Sequence, residues 1–238
     1  RESIVRVSFE ACRSAATPLW SSDGRRIAYA CFPSGEVYFR DAHGVERAKM
    51  AFKSPFFSPL DDWSRDGRYL FQEVIDWKTF HFDVGMRDLK TGAERPLLTD
   101  PFDEMGARLS PDERWLAYES DESGAHEVFV RSFPELGDRR QVSAGGGSQP
   151  RWRGDGKELF YVSPDRKLIA VDVRVGPPFD SGAPHALFQT RILPAVEARN
   201  HYDATADGQR FVVNSRRPED ASLPITVVVS WAAGLARN

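Results

Sequence analysis

The chain has few cysteines and no long apolar run. Only two cysteines occur among its 238 residues, which excludes a small scaffold held together by disulfides. We interpret Cys12 and Cys31 as small buried apolar residues, although an oxidising compartment would allow them to pair. No apolar stretch approaches the ~18 residues that a membrane-spanning helix needs, so we predict no membrane insertion by this segment.

Charge of one sign is not concentrated anywhere in the sequence. The 32 basic and 35 acidic residues give a net charge of -3. Because no basic run is available to neutralise a phosphate backbone, we predict no nucleic-acid partner. The chain begins with Arg1 and shows no signal peptide, so we expect any targeting segment to lie outside it.

Catalytic and metal-binding patterns are also missing. The sequence contains neither a Gly-x-Ser-x-Gly elbow nor a His-Glu-x-x-His motif. Its five histidines lack the spacing of metal ligands. We therefore predict no metal, no cofactor and no catalytic residue in this chain, while paired carboxylates for glycoside hydrolysis stay open.

A short phrase of tryptophan, serine, aspartate and glycine recurs five times. It is clear at 20–25 and 63–68, weakens at 109–114, returns at 152–157 and is faint at 204–209. Its aspartates lie at positions 23, 66, 112, 155 and 207, in steps of 43, 46, 43 and 52 residues. A period of roughly 40–50 residues with a strand-turn-strand pattern in each unit is typical of propeller blades.

Each repeat has the pattern of a four-stranded antiparallel sheet. In the second repeat, Asp66-Gly67 predicts a two-residue hairpin turn, and Phe80 begins the predicted third strand. Residues 3–9 are predicted to form a further strand, which we expect to close the last blade because this removes a free edge. The repeats lie near 17–52, 60–99, 107–143, 150–190 and 202–231.

We therefore predict an all-β fold in which 1–238 form a single β-propeller domain. Five closed blades of four antiparallel strands are the favoured arrangement. The alternative is an open fragment of a propeller with about six to eight blades.

The repeated aspartates and tryptophans are interpreted as structural. Five aspartates around a ring cannot converge on one site, and aspartate suits a turn because it accepts hydrogen bonds from nearby backbone N–H groups. Trp20, Trp63 and Trp152 are expected to pack between blades. Glu113 occupies the glycine position of the third turn, which predicts a different backbone type there.

Residues beside these packing positions are predicted to face a central channel, because side chains alternate along a strand. In a narrow channel, charged groups are expected to pair as a structural network. An arginine left over from such a network would bind a carboxylate, for example at a peptide terminus. The charged candidates are Asp62, Arg108, Arg151, Arg153 and Asp203.

Loops around the inner strands supply the second group of candidates, which we expect on one face. Aromatic side chains among polar groups are typical of the centres of protein interfaces. The run 145–147 lacks the lysine and helix of a phosphate-binding loop, so we interpret it as flexible. The loop candidates are Phe57, Trp77, Phe102, Gln149, His201 and Tyr202.

Two stretches, Pro18 to Tyr29 and Leu109 to Asp121, resemble the WD40-like repeat of TolB-type β-propellers. The segments 146–160 and 224–231 are similar to a subgroup found at the C terminus of many bacterial membrane-anchored serine/threonine kinases. The resemblance covers nearly the whole chain. It implies a non-enzymatic, periplasmic or otherwise extracytoplasmic domain that senses or binds a protein, peptide or cell-envelope ligand. The chain has no kinase motif, so a kinase would lie upstream.

Two other functions stay open. A propeller of a serine peptidase or other hydrolase would need a catalytic domain elsewhere. A structural spacer predicts neither a deep pocket nor an exposed aromatic cluster.

Overall fold

The computed structural model describes residues 12–43, 47–55, 57–192 and 201–215, together with the backbone of 226–229. These residues form twenty β-strands joined by turns. Within the described part of the chain, no helix is long and apolar enough to cross a membrane. The prediction of an all-β fold is confirmed.

The chain divides into two compact units, Arg1–Met105 and Gly106–Asn238. The first unit contains two antiparallel sheets of four strands, each in chain order. Sheet 1 consists of β1 (Ser14–Trp20), β2 (Arg26–Phe32), β3 (Glu36–Asp41) and β4 (Lys49–Lys53). Sheet 2 consists of β5 (Leu60–Trp63), β6 (Tyr69–Asp76), β7 (His81–Asp88) and β8 (Glu94–Leu98).

The other three sheets follow in the same chain order. Sheet 3 consists of β9 (Glu104–Leu109), β10 (Trp115–Ser120), β11 (Glu127–Ser132) and β12 (Arg139–Gln141). Sheet 4 consists of β13 (Ser148–Trp152), β14 (Glu158–Val162) and β15 (Lys167–Arg174), with β16 (Asp180–Ser181) and β17 (His185–Gln189) both paired to β15. Sheet 5 consists of β18 (Tyr202–Ala204), β19 (Arg210–Val213) and β20 (Thr226–Val229).

Successive four-stranded antiparallel sheets are the blades that the repeat predicts. The described core lies between successive sheets of each unit, where apolar residues such as Leu70, Leu159 and Phe160 pack against the neighbouring sheet. The five-blade closure stays a prediction, because its closing strand, 3–9, lies outside the described residues.

The recurring phrase forms one type of turn between the first two strands of a sheet. In sheet 1, the Gly24 N–H donates to the Ser21 carbonyl at 2.9 Å, and the Ser21 N–H donates to the Arg26 carbonyl at 2.8 Å. Asp23 accepts hydrogen bonds from the Ser21 hydroxyl at 2.6 Å and the Arg25 N–H at 3.0 Å. The structural role predicted for the aspartate is confirmed.

The length predicted for this turn is wrong. Four residues, not two, separate Ser21 from Arg26. The wider loop is held because the Ser21 hydroxyl accepts a hydrogen bond from the Arg26 N–H at 2.9 Å, in addition to the backbone bond. The serine of the phrase therefore fixes the turn as much as the Asp-Gly pair does.

The third copy keeps this turn although it has no glycine. The Glu113 N–H donates to the Ser110 carbonyl at 2.8 Å, as Gly24 does to Ser21 in the first copy. Glu113 has a φ of 58°, close to the 68° of Gly24. The prediction of a different backbone type is wrong, because Ser110 and Asp112 still form their 2.6 Å hydrogen bond and hold the turn.

Two of the three repeated tryptophans pack against the sheet that precedes their own. Trp63 is buried and stacks on Phe39 of sheet 1, with ring centroids 4.8 Å apart. Trp152 donates from its indole N–H to the Arg108 carbonyl of sheet 3 at 3.0 Å. Trp20 is 59% exposed, so the packing prediction is wrong there. Its sheet has no predecessor among the described residues.

Cys12 and Cys31 form a disulfide, with Cα atoms 5.2 Å apart. The interpretation of the two cysteines as separate buried residues is therefore wrong. Cys31 lies buried within β2, so the bond joins β2 to the residues just before β1 and encloses the first hairpin in a covalent ring.

Candidate functional site

Residues with left-handed backbone interrupt the first strands of three sheets. Thr17 has a φ of 47°, Gly106 of 65° and Gln149 of 57°. Each lies three residues before the tryptophan or leucine of the recurring phrase. The pairing register shifts at this point in β1 and β13, which marks a β-bulge. Bulges re-aim side chains and are frequent beside functional sites.

The side chain at this bulge accepts a hydrogen bond from the equivalent residue of the next sheet. The Thr17 hydroxyl accepts from the Leu60 N–H at 2.9 Å, which links sheets 1 and 2. The Gln149 side-chain oxygen accepts from the His201 N–H at 2.9 Å, which links sheets 4 and 5. We call these contacts the bulge links.

In sheet 3 the equivalent left-handed residue is a glycine, Gly106, and a carboxylate from the neighbouring strand replaces the missing side chain. Glu119 accepts a hydrogen bond from the Gln149 N–H at 2.6 Å. The same oxygen lies 2.9 Å from the position that a Cβ on Gly106 would occupy. Glu119 thus completes the bulge link between sheets 3 and 4 only because Gly106 leaves space for it. The repeat pattern gave no signal for this role.

Three of the loop candidates, Gln149, His201 and Tyr202, come together in the second unit, but all are buried. The Tyr202 hydroxyl donates to the Gln149 carbonyl at 2.8 Å. Because the Gln149 oxygen accepts from a backbone N–H, its amide nitrogen donates to His201 Nδ1 at 3.1 Å. These contacts hold sheets 4 and 5 together. The role of the three residues in ligand binding stays a prediction.

Burial also sets the protonation of this cluster. It lowers the pKa of His201 and raises the pKa of Tyr202 well above its ordinary value. Both side chains are therefore neutral at pH 7, which avoids the free-energy cost of a buried charge between the two sheets.

Three of the charged candidates, Arg108, Arg151 and Asp203, lie around Tyr202. Both arginines and Asp203 act electrostatically on its hydroxyl. Arg151 Nε lies 3.8 Å from Asp203 Oδ1, and its guanidinium lies 5.8 Å from the centroid of the Tyr202 ring. Arg108 is buried, whereas the Asp203 side chain is 79% exposed. The predicted ion pairing is present here between Arg151 and Asp203, at a long distance and beside solvent.

Asp62 and Arg153 are placed elsewhere. Asp62 lies in the first unit, where its carboxylate accepts a hydrogen bond from the Trp63 N–H at 2.9 Å. Arg153 stands in the serine position of the fourth turn and contacts Asp155 at 2.6 Å and Glu158 at 2.5 Å. The contact with Arg153 lowers the pKa of Asp155 to about 2. Both candidates thus have structural contacts.

The remaining loop candidates are aromatic and belong to the first unit. Phe57 is half-buried and packs edge-on against Phe32, with ring centroids 5.3 Å apart. Trp77 and Phe102 are 40% and 37% exposed. A further aromatic residue that the sequence reasoning missed, Phe80, is 63% exposed and lies 6.3 Å from Trp77 between ring centroids.

Phe80 lies in the loop before β7 rather than in the predicted third strand. Asp103, next to Phe102, contacts the start of β7 directly after Phe80, at His81 Nδ1 (3.0 Å) and at the Phe82 N–H (3.1 Å), from which it accepts a hydrogen bond. Asp83 lies 3.3 Å from the other nitrogen of His81. We call the exposed rings of Trp77, Phe80 and Phe102 the aromatic surface.

A cavity of about 340 Å³ opens beside the glycine run in the second unit and is lined partly by Gly145, Gly146 and Tyr161. The glycine run has defined contacts, since the Gly146 N–H donates to the Glu127 carboxylate at 2.7 Å. Burial raises the pKa of Tyr161 to about 12. Among the residues that the structure describes, no three His, Cys, Asp or Glu side chains are grouped as metal ligands.

Comparison with known proteins identifies the fold. Neither a protein-family pattern nor a curated protein sequence matches the chain. Among solved structures, TolB from Acinetobacter baumannii is similar with a TM-score of 0.72 and 17% identity over 91% of this chain. The match covers 52% of that protein, so the chain spans about half of its length.

Two further structures have the same fold. An oligogalacturonate lyase in complex with manganese has a TM-score of 0.61 and 19% identity, covering 92% of this chain and 62% of its own. The β-propeller domain of Cps50 (Swd1) from Myceliophteria thermophila has a TM-score of 0.59 and 13% identity, covering 93% and 85%. Similarity at this level of identity shows a TolB-like β-propeller fold, and a fold of this kind carries both binding proteins and enzymes.

Proposed function

We propose that this chain is a β-propeller binding module that recognises a protein or peptide through its aromatic surface. The observation that carries the proposal is the exposure of Trp77, Phe80 and Phe102 on neighbouring loops of one unit. Large exposed apolar patches are unfavourable in water and mark interaction sites. Tryptophan in particular is enriched among the residues that dominate binding energy.

The contacts of Asp103 support the same proposal. They fix the loop of Phe102 against the start of β7, directly after Phe80, before any partner arrives. A surface ordered in advance loses less conformational entropy on binding. A spacer would gain nothing from such a surface, so this alternative is disfavoured.

We also propose the narrower assignment, that the module is the extracytoplasmic sensor of a membrane-anchored serine/threonine kinase. The sequence resemblance of 146–160 and 224–231 supports it, and so does the disulfide, because disulfides persist in oxidising compartments. The complete open reading frame tests it. An upstream kinase with a membrane span supports the assignment, and a hydrolase domain contradicts it.

Selection of random displayed peptides against the 238-residue chain tests the binding function. We expect enriched peptides whose affinity falls at least ~10-fold in Trp77→Ala and in Phe102→Ala, since central aromatic residues dominate interfaces. Trp20→Ala is the matched control, because Trp20 is also exposed, at 59%, but belongs to sheet 1. Selected peptides that bind Trp77→Ala unchanged would contradict the proposal. So would a hydrolase activity of the chain that is lost in Asp62→Asn.

A further inference from the structure

Four turns of the described chain are closed by the same backbone hydrogen bond, from an N–H to the carbonyl four residues earlier. The donor–acceptor distances lie between 2.7 and 3.0 Å. All four closing residues have left-handed backbone, with φ between 57° and 75°. Two are glycines and two carry large side chains: Gly35, Gly92, Phe80 and Leu136.

Stability does not explain why phenylalanine, at Phe80, closes one of these turns. Left-handed backbone disfavours residues with a Cβ, and a bulky residue there is a true outlier. Leu136 is half-buried, but the Phe80 ring is 63% exposed, so little burial offsets its strain. Residues that persist in a strained conformation cluster at binding sites and catalytic sites.

The sequence around this ring is acidic. The two segments that carry the aromatic surface, 74–83 and 99–103, contain four aspartates against one lysine and one histidine. Hydrogen bonds from the Lys78 N–H and the Thr79 side chain lower the pKa of Asp76, so it stays ionised. A positively charged partner is therefore attracted to this surface, and a negatively charged partner is repelled.

We propose that Phe80 is the anchor of the aromatic surface and that the partner is a cationic peptide segment with an apolar side chain beside lysine or arginine. This inference rests on the proposed binding function. The apolar side chain packs against Trp77 and Phe80, while the cation lies between the aspartates and a ring face. The left-handed turn holds the ring away from the core, where a partner can reach it.

Three labelled peptides of equal length test the inference by fluorescence anisotropy on the full chain. They alternate lysine with leucine, glutamate with leucine, and lysine with glycine. We expect only the lysine-leucine peptide to bind, with an affinity that falls as salt is added. Phe80→Gly should weaken this binding at least tenfold and raise the melting temperature, because glycine removes the backbone strain.

Leu136→Gly is the matched control, since it makes the same change in the equivalent turn and should leave binding unchanged. Phe80→Asn is a second variant that tolerates left-handed backbone and should also lose binding. Equal binding of the glutamate-leucine peptide would overturn the claim that the partner is cationic. Unchanged affinity of both Phe80 variants would overturn the claim that Phe80 is the anchor.

The inference and the proposed function fail in different ways. If the lysine-leucine peptide does not bind but selected peptides require Trp77, the partner chemistry is wrong and the binding function stands. If neither the probes nor the selected peptides bind through Trp77, the proposed function fails as well.

Discussion

At the scale of single residues, hydrogen bonds hold left-handed backbone in this protein even at positions that are not glycine. Glu113 adopts a φ of 58° because Ser110 and Asp112 hold its turn in the same form as in the first repeat. The glycine signal in the sequence therefore identifies this turn where it is present, but its loss does not remove the turn.

Glu113→Gly should stabilise the protein. The change relieves left-handed strain of about 1 kcal/mol at a half-buried position. Gly24→Ala is the reverse control, because it introduces the same left-handed strain. It should lower the free energy of unfolding by a similar amount, since no atom lies within 4 Å of the added Cβ to cause a clash. Urea unfolding of both variants measures the difference, and a destabilised Glu113→Gly would contradict this reading of the turn.

His201 should make the stability of the protein depend on pH. Burial places its folded pKa below the unfolded value of 6.5, so the unfolded chain binds the proton first as pH falls. Its contribution is complete above pH ~6.5 and decreases below it. Protonation also turns His201 Nδ1 into a donor, so it can no longer accept the hydrogen bond of the Gln149 amide.

The variant His201→Asn separates this effect from other titrations. Asparagine offers an acceptor to Gln149 but does not titrate, so the loss of stability between about pH 7 and pH 5 should shrink. The measurement is the urea midpoint at each pH. An unchanged slope in the variant would show that another group carries the dependence.

At the scale of strands and sheets, the repeat predicted the order of the strands, since apolar alternation and turn residues mark each of them. It did not predict the bulge links. Thr17 and Gln149 take left-handed backbone without being glycine, so no local preference marks them. Glu119 reaches its place only through the folded position of Gly106. Phe80 also takes left-handed backbone without being glycine, so the sequence did not mark its turn either.

Thr17→Val should test one bulge link in isolation. Valine keeps the shape of threonine and its strain but removes the acceptor, so the buried Leu60 N–H loses its partner. We expect a loss of about 1–3 kcal/mol in the free energy of unfolding. Thr17→Ser keeps the hydroxyl and is the control. Equal stability of Thr17→Val and the unchanged chain would contradict a role for the link.

At the scale of the whole molecule, the period of the aspartates was sufficient to predict successive antiparallel sheets, which the similarity to TolB confirms as a fold. The site was less predictable. Exposed aromatic residues such as Trp77 stand out by residue type, whereas the burial of Gln149 and His201 depends on a contact between residues 52 positions apart in the sequence.

The proposed single propeller domain makes a prediction about unfolding. If 3–9 complete the last blade, their deletion should lower the melting temperature, because the last sheet would regain a free edge. The intact chain should then unfold in one calorimetric transition. Two separate transitions would contradict a single domain.

The ring closed by Cys12 and Cys31 changes how the molecule would bear a mechanical load. A pull applied before Cys12 passes through the sulfur atoms to β2 and bypasses β1. The bond keeps the two Cα atoms 5.2 Å apart across a separation of 19 residues, so the fully extended chain is shorter by about 60 Å. In single-molecule stretching, a reducing agent should restore that length. Tethered from its N-terminal side, the module would carry tension past its first strand.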